Sequence, residues 1–274
     1  MKPVDFDYQK VSSAKSALEV LNVAEGVRKV ISGGQSMGPM LNLRLVRPDV
    51  LVDVTQAGEL CEVRDDGDAI TYGAATRHAA FEDALVPDAA AGMMRSVASG
   101  IAYRAVRNRG TIGGSLAHAD PAADWVTTTV ALDAGFTLRS VKGQRSVAAA
   151  AFFLGAFTTA LTEGELIESI TVPKLSQGAS WGYYKICRKV GEFADASAAV
   201  VVDAERRYCR VVMGALDGAP VILEGFADRL AERGRGALDD LKGAVHAALP
   251  EVSAVTLRQH EVAVRRAIEQ VYPS

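Results

Sequence analysis

Two short stretches of this chain set adjacent glycines beside hydroxyl side chains: Ser32-Gly33-Gly34-Gln35-Ser36-Met37 and Thr111-Ile112-Gly113-Gly114-Ser115. Glycine reaches φ > 0 at no steric cost and lets a ligand or a second backbone approach the main chain closely. Successive N–H groups in such turns form a concave nest for phosphate oxygens, and Ser or Thr adds donors. Two such loops from separate parts of the chain match the two phosphates of a pyrophosphate. Neither contains G-x-G-x-x-G or G-x-x-x-x-G-K-[ST], so neither a Rossmann site nor a P-loop is supported. On the residues alone, an ordinary turn and a phosphate site both stay open.

The 274 residues allow one large domain or two modest ones. An apolar fraction of 49% with 23% charged residues is enough for a buried core. A net charge of −3 gives no basic footprint for nucleic acid. No apolar run approaches the length of a membrane span, and residues 1–7 lack the apolar core of a signal peptide, so a cytoplasmic protein without a transmembrane segment is expected. Cys61, Cys187 and Cys209 form no C-x-x-C pair and read as buried apolar thiols. His78, His118, His246 and His260 have no metal-ligand spacing, so no metal is expected in this chain.

Along the chain, Ser12 or Ser13 caps a helix with Ala14, Ala17, Leu18 and Leu21 on its apolar face, ending at Gly26. Residues 27–31 and 50–54 read as strands, and Asp65-Asp66-Gly67-Asp68 as a hairpin turn between two more. Residues 77–84 and 89–99 read as helices and 104–115 as a loop. Pro121 fits the first turn of a helix through Leu132 that Asp120 caps. A strand over 136–138, a helix over 147–161 and a strand over 167–172 follow. Residues 173–179 are the expected boundary between domains 1–175 and 176–274. Beyond it come strands at 181–186, 197–202 and 209–216, then helices at 225–233, 237–249 and 257–272, which makes a small α+β domain.

Residues 31–49 and 107–124, which contain the two glycine motifs, resemble the two flavin-binding segments of one family. That family is the FAD-binding medium subunits of molybdenum hydroxylases, such as those of carbon monoxide and xanthine dehydrogenases. A third match runs from Tyr184-Lys185 through Arg188-Lys189 to Gly191-Glu192-Phe193-Ala194. The resemblance covers nearly the whole chain. It implies an α+β chain: a vanillyl-alcohol-oxidase-like (PCMH-type) FAD-binding domain of two α/β subdomains, then a C-terminal domain with an antiparallel sheet and a helix bundle.

It also implies roles. Ser32, Gly33, Gly34, Gln35, Ser36 and Met37, with Thr111, Ile112, Gly113, Gly114 and Ser115, wrap the FAD pyrophosphate. Asp124 accepts from a flavin-side hydroxyl, Ile167 meets the flavin ring, Lys185 sits near the isoalloxazine, and Phe193 shields its face. Each has a plainer alternative: a helix cap for Asp124, core packing for Ile167 and Phe193, a surface position for Lys185. No catalytic residue is assigned, His118 included, because flavin re-oxidation calls for no base. Met37, Met40, Met93 and Met94 read as core filler. Arg104, Arg107 and Arg109 have three settings open: cofactor phosphates, a partner subunit or solvent. The chain departs from the family pattern at Ser115 (often Asn), Tyr103 (often His) and Phe193 (often Tyr).

The resemblance further implies partners. A large molybdopterin subunit oxidises substrate, and a small subunit with two [2Fe–2S] clusters passes electrons to the FAD of this chain, in a dimer of heterotrimers. The alternative is a self-sufficient PCMH-type flavin oxidase. Such enzymes usually add a large substrate domain and often link the flavin to a histidine, and the first glycine loop contains none.

Overall fold

A computed structural model describes residues 2–273. The first layer is a three-stranded parallel sheet in the order β1-β3-β2, from β1 (Asp7–Lys10), β2 (Arg28–Ile31) and β3 (Val50–Asp53). Between β1 and β2 runs α1 (Ala14–Leu21), opened by a capping box in which Ser13 and Ser16 satisfy each other's backbone N–H groups. The helix ends at Asn22 rather than at Gly26, because Asn22 returns its N–H to Leu18 and Val20 and leaves Gly26 in the following turn. Between β2 and β3 lies α2 (Met37–Asn42), which starts directly out of the first glycine motif.

A five-stranded antiparallel sheet forms the second layer. Its first strands follow α3 (Gly58–Cys61): β4 (Val63–Asp65) and β5 (Ala69–Gly73), joined by the expected turn, with Gly67 at φ +87. Helices α4 (His78–Glu82), α5 (Met93–Ser99), α6 (Arg104–Arg107), α7 (Ile112–His118) and α8 (Asp124–Ala131) come next. The stretch 104–115 is thus mostly helical, and the second glycine motif is the first turn of α7. Ala123, not Asp120, caps α8; the Asp120 carboxylate instead accepts from Ala122 N in a local turn.

The sheet closes with β6 (Gly135–Ser140), β7 (Gly143–Ala148) and, after α9 (Ala149–Phe152) and the small pair β8 (Phe153–Gly155) and β9 (Thr158–Thr159), with β10 (Leu166–Pro173) at its centre. The helix expected over 147–161 is therefore a correction. Its alanines form a single turn, and the flanking Phe152 and Phe153 are drawn into edge-to-face contact with Phe136, an override of helix propensity by aromatic packing.

The chain then forms β11 (Ser180–Ile186), β12 (Ala196–Asp203), β13 (Tyr208–Gly214) and β14 (Val221–Ile222) as an antiparallel sheet. Against it pack α10 (Glu224–Arg233) and α12 (Ala254–Val271), while α11 (Leu241–Ala248) lies on α12 and on the 3₁₀ stretch, Gly234–Asp240, that precedes it. Strand β12 divides its side chains by the period-two rule: Ala196, Ala198 and Val200 enter the core under the helices, while Ala199 and Val201 enter the core that holds Trp125 and Phe136. No helix among the described residues is long and apolar enough to cross a membrane. The thiols depart from expectation: Cys61 is exposed at the end of α3, and Cys187 and Cys209 are half-buried. Met93 and Met94 are core residues, whereas Met37 and Met40 are only partly covered.

Candidate functional site

The two glycine motifs meet. Gly33 has no room for a side chain because the backbone of the second segment occupies that space: a Cβ there would lie 2.2 Å from Arg109 O and 2.6 Å from Gly110 Cα. Thr111 Oγ1 ties the loops further by donating to Ser32 Oγ at 3.0 Å. Gly34 sits at φ +71, the conformation that turns the chain from β2 into α2. Among the described residues, the main-chain N–H groups of Gly33 to Met37 find no protein acceptor; the first bond of the following helix is Gly38 N to Gly34 O. Five successive free donors in one bend are an anion nest by construction.

The second motif is built differently. Ile112 N donates to Thr76 O, Gly113 N to Ala74 O, and Gly114 N to the capping Thr111 Oγ1. Its amides are therefore spent inside the protein, contrary to the expectation that both loops would offer theirs alike. What this segment presents is the half-buried Ser115 and the positive end of α7. Behind it, His78 packs against Gly110 and accepts from Trp125 Nε1 at 3.0 Å. Burial, with a smaller contribution from Arg107, lowers the His78 pKa to about 4, so the ring is a neutral acceptor. A cavity of about 430 Å³ adjoins Thr111, lined by Thr55, Thr76, Arg77 and Asn108 among others.

Asp124 is the first residue of α8 and is 8% exposed. Lys185 Nζ lies 2.9 Å from its Oδ1 and also donates to Gly100 O at 3.0 Å. Tyr183 OH donates to the same Oδ1 at 2.9 Å. Burial pushes the Asp124 carboxyl upward, and Lys185 and Tyr183 oppose that shift. Lys185 is thus no surface lysine and Asp124 no simple cap. Tyr183 escaped the sequence reading. The signal that would have found it is strand alternation, which puts Trp181, Tyr183 and Lys185 on one face of β11, Trp181 Nε1 reaching Ala91 O at 2.9 Å.

The remaining residues are placed apart. Ile167 is buried in the core beside Leu138, next to a register shift in β10. Phe193 is 69% exposed, in a loop that pairs through Gly191 with Ile101. Arg107 pairs with Glu82 and reaches the Ile101 and Ala102 carbonyls, and Arg104 pairs with Glu82 and Asp83, so both turn toward α4. The His118 ring stacks near Phe157.

Comparison with known proteins bears on this arrangement. Residues 4–175 match the family described as the FAD-binding domain in molybdopterin dehydrogenase. The chain is 34% identical over 258 residues to the 6-hydroxypseudooxynicotine dehydrogenase complex subunit alpha of Paenarthrobacter nicotinovorans, covering 93% of this chain and 87% of that one. It is 37% identical over 202 residues to the carbon monoxide dehydrogenase medium chain of Hydrogenophaga pseudoflava, covering 74% and 70% respectively. A solved structure of carbon monoxide dehydrogenase from the same organism, lacking the Mo-pyranopterin moiety of its cofactor, superposes with a TM-score of 0.91 at 29% identity over 99% of both chains.

Proposed function

Because the chain belongs to the FAD-binding medium subunits of molybdenum hydroxylases, we propose that it carries the terminal flavin of such a complex. In this reading electrons arrive singly from [2Fe–2S] clusters of a small partner subunit and leave as a pair to an external acceptor, while a large molybdopterin subunit oxidises the substrate. The assembly is a dimer of heterotrimers. Bound FAD supplies the redox chemistry; the protein supplies grip, orientation and electrostatics.

The observation that carries the reading is the run of free amides from Gly33 to Met37, braced against the second segment at Arg109 and Gly110. Those donors would hold diphosphate oxygens, with the hydroxyls of Ser32, Ser36 and Ser115 and the start of α7 adding to the grip. Thr111, Ile112, Gly113 and Gly114 form the support on which that cradle rests. Asp124 would accept from a flavin-side hydroxyl, and Lys185 would hold positive charge beside the ring. Ile167 would reach the ring through its backbone, and the exposed Phe193 would cover one flavin face.

The test is loading. The purified chain, incubated with FAD and desalted, is expected to keep one flavin per chain by visible absorbance. With its partner subunits and their substrate that flavin should bleach, and without them it should stay oxidised. A chain that keeps no flavin, or one that is bleached by substrate alone, would overturn the proposal.

A further inference from the structure

Tyr183 is the one residue of the buried Asp124 cluster with no role in the reading above. Its hydroxyl and the Lys185 ammonium converge on Asp124 Oδ1, each at 2.9 Å, so Oδ2 takes neither donor. A carboxylate held by one oxygen in this way has a fixed plane, and its second oxygen has a fixed direction. The phenol is itself held. It stands on β11 between Trp181 and Lys185, and its backbone N–H donates to Gln270 Oε1 at 2.9 Å.

Resting on the FAD reading, we propose that Tyr183 is a positioning residue: it holds Asp124 ionised and oriented so that Oδ2 receives a hydroxyl of the bound flavin. The phenol suits the task because it gives a hydrogen bond without bringing charge. Burial and the adjacent carboxylate push its pKa well above the ordinary tyrosine value, so it stays a donor throughout the working range.

The groups around Asp124 are few. Lys185 and Tyr183 face it from β11, with Ser197 of β12 and Cys187 behind the phenol; Gly100 O at the end of α5 holds the Lys185 ammonium. On α8 itself Thr128 Oγ1 donates to the Asp124 carbonyl, and α7 carries His118, whose ring packs on Phe157. Losing the phenol leaves burial, which favours the neutral acid, opposed by Lys185 and, to a smaller extent, by the backbone N–H of Asp124 itself.

The experiment uses the full-length chain and FAD, titrated by flavin fluorescence at a series of pH values. Tyr183→Phe should weaken FAD binding about tenfold near neutrality, and the acid limb of the binding profile should move to higher pH. Asp124→Asn should weaken binding as well, and adding Tyr183→Phe to it should cost no more than about twofold further. A role confined to packing would lower Tm and leave the acid limb where it was. A Tyr183→Phe affinity within twofold of the parent, with an unmoved acid limb, overturns the inference. If that variant does not fold, difluorotyrosine at position 183 keeps the ring shape and strengthens the donor, and the limb should move to lower pH; no movement overturns the inference equally. The two readings fail separately. A parent chain that binds no FAD defeats the functional reading, whereas a parent that binds FAD, an Asp124→Asn that loses it and an indifferent Tyr183→Phe defeat this inference alone.

Discussion

At the scale of single residues, the most consequential side chain outside the residues proposed to face the flavin is His78. Its ring fills the space beside Gly110 and accepts from the Trp125 indole, which requires the neutral form. With a folded-state pKa of about 4 against an ordinary 6.5, the unfolded chain binds the proton first as pH falls. Stability should therefore be complete above about pH 6.5 and decline on going down to pH 4, by on the order of 3 kcal/mol in full. Urea unfolding at stepped pH should show that loss in the parent and a loss smaller by about that amount over the same window in His78→Gln. An equal slope in both would place the titration elsewhere. None of this was legible in the sequence, where His78 is one histidine without ligand spacing; burial decides its chemistry, and burial is a property of the fold.

Among the elements, β11 links sequence pattern to site. Alternation sends Tyr184 and Ile186 toward the helices and Trp181, Tyr183 and Lys185 toward α5 and α8. Removing one member of the buried Asp124–Lys185 pair leaves the other uncompensated, which typically costs about 3–5 kcal/mol. Lys185→Met should lose that much in chemical denaturation, and combining it with Asp124→Asn should recover a good part of it; fully additive losses would show the pair to be uncoupled.

Elements with strong local signals were readable: a serine cap at Ser12 or Ser13, which the fold resolves to Ser13, with its apolar stripe, the Asp65-Asp66-Gly67-Asp68 turn, and the alternating strand at β10. Where local preference and packing disagreed, packing won. Ala149, Ala150 and Ala151 favour helix, yet the phenylalanines after them are more stable against Phe136. Likewise the residues of the glycine motifs were legible, but which motif spends its amides internally was not. That depends on Ala74 and Thr76, which reach Gly113 and Ile112 only through the tertiary fold.

For the whole molecule, the family match ends at residue 175, but the packing does not. Ala199, Val201 and Val212 share one core with Trp125, Phe136 and Ile170, and Tyr208 and Arg210 hydrogen-bond the carbonyls that end α8. A chain cut after residue 175 would expose that apolar face, along with an Asp124 stripped of both its partners. We expect such a fragment to aggregate or to lack a cooperative thermal transition in circular dichroism. A soluble, cooperatively folding fragment would establish the N-terminal part as an independent folding unit.

The backbone contact under Gly33 carries a lesson for interpreting natural variants. Gly110 offers nothing to a phosphate, yet a methyl added there would come within 2.8 Å of the His78 ring and disturb the very floor on which Gly33 is seated. A harmless-looking Gly110→Ala, scored by distance along the chain from the nest, would pass as a bystander. Scored by what it props up, it belongs among the changes that disarm the protein.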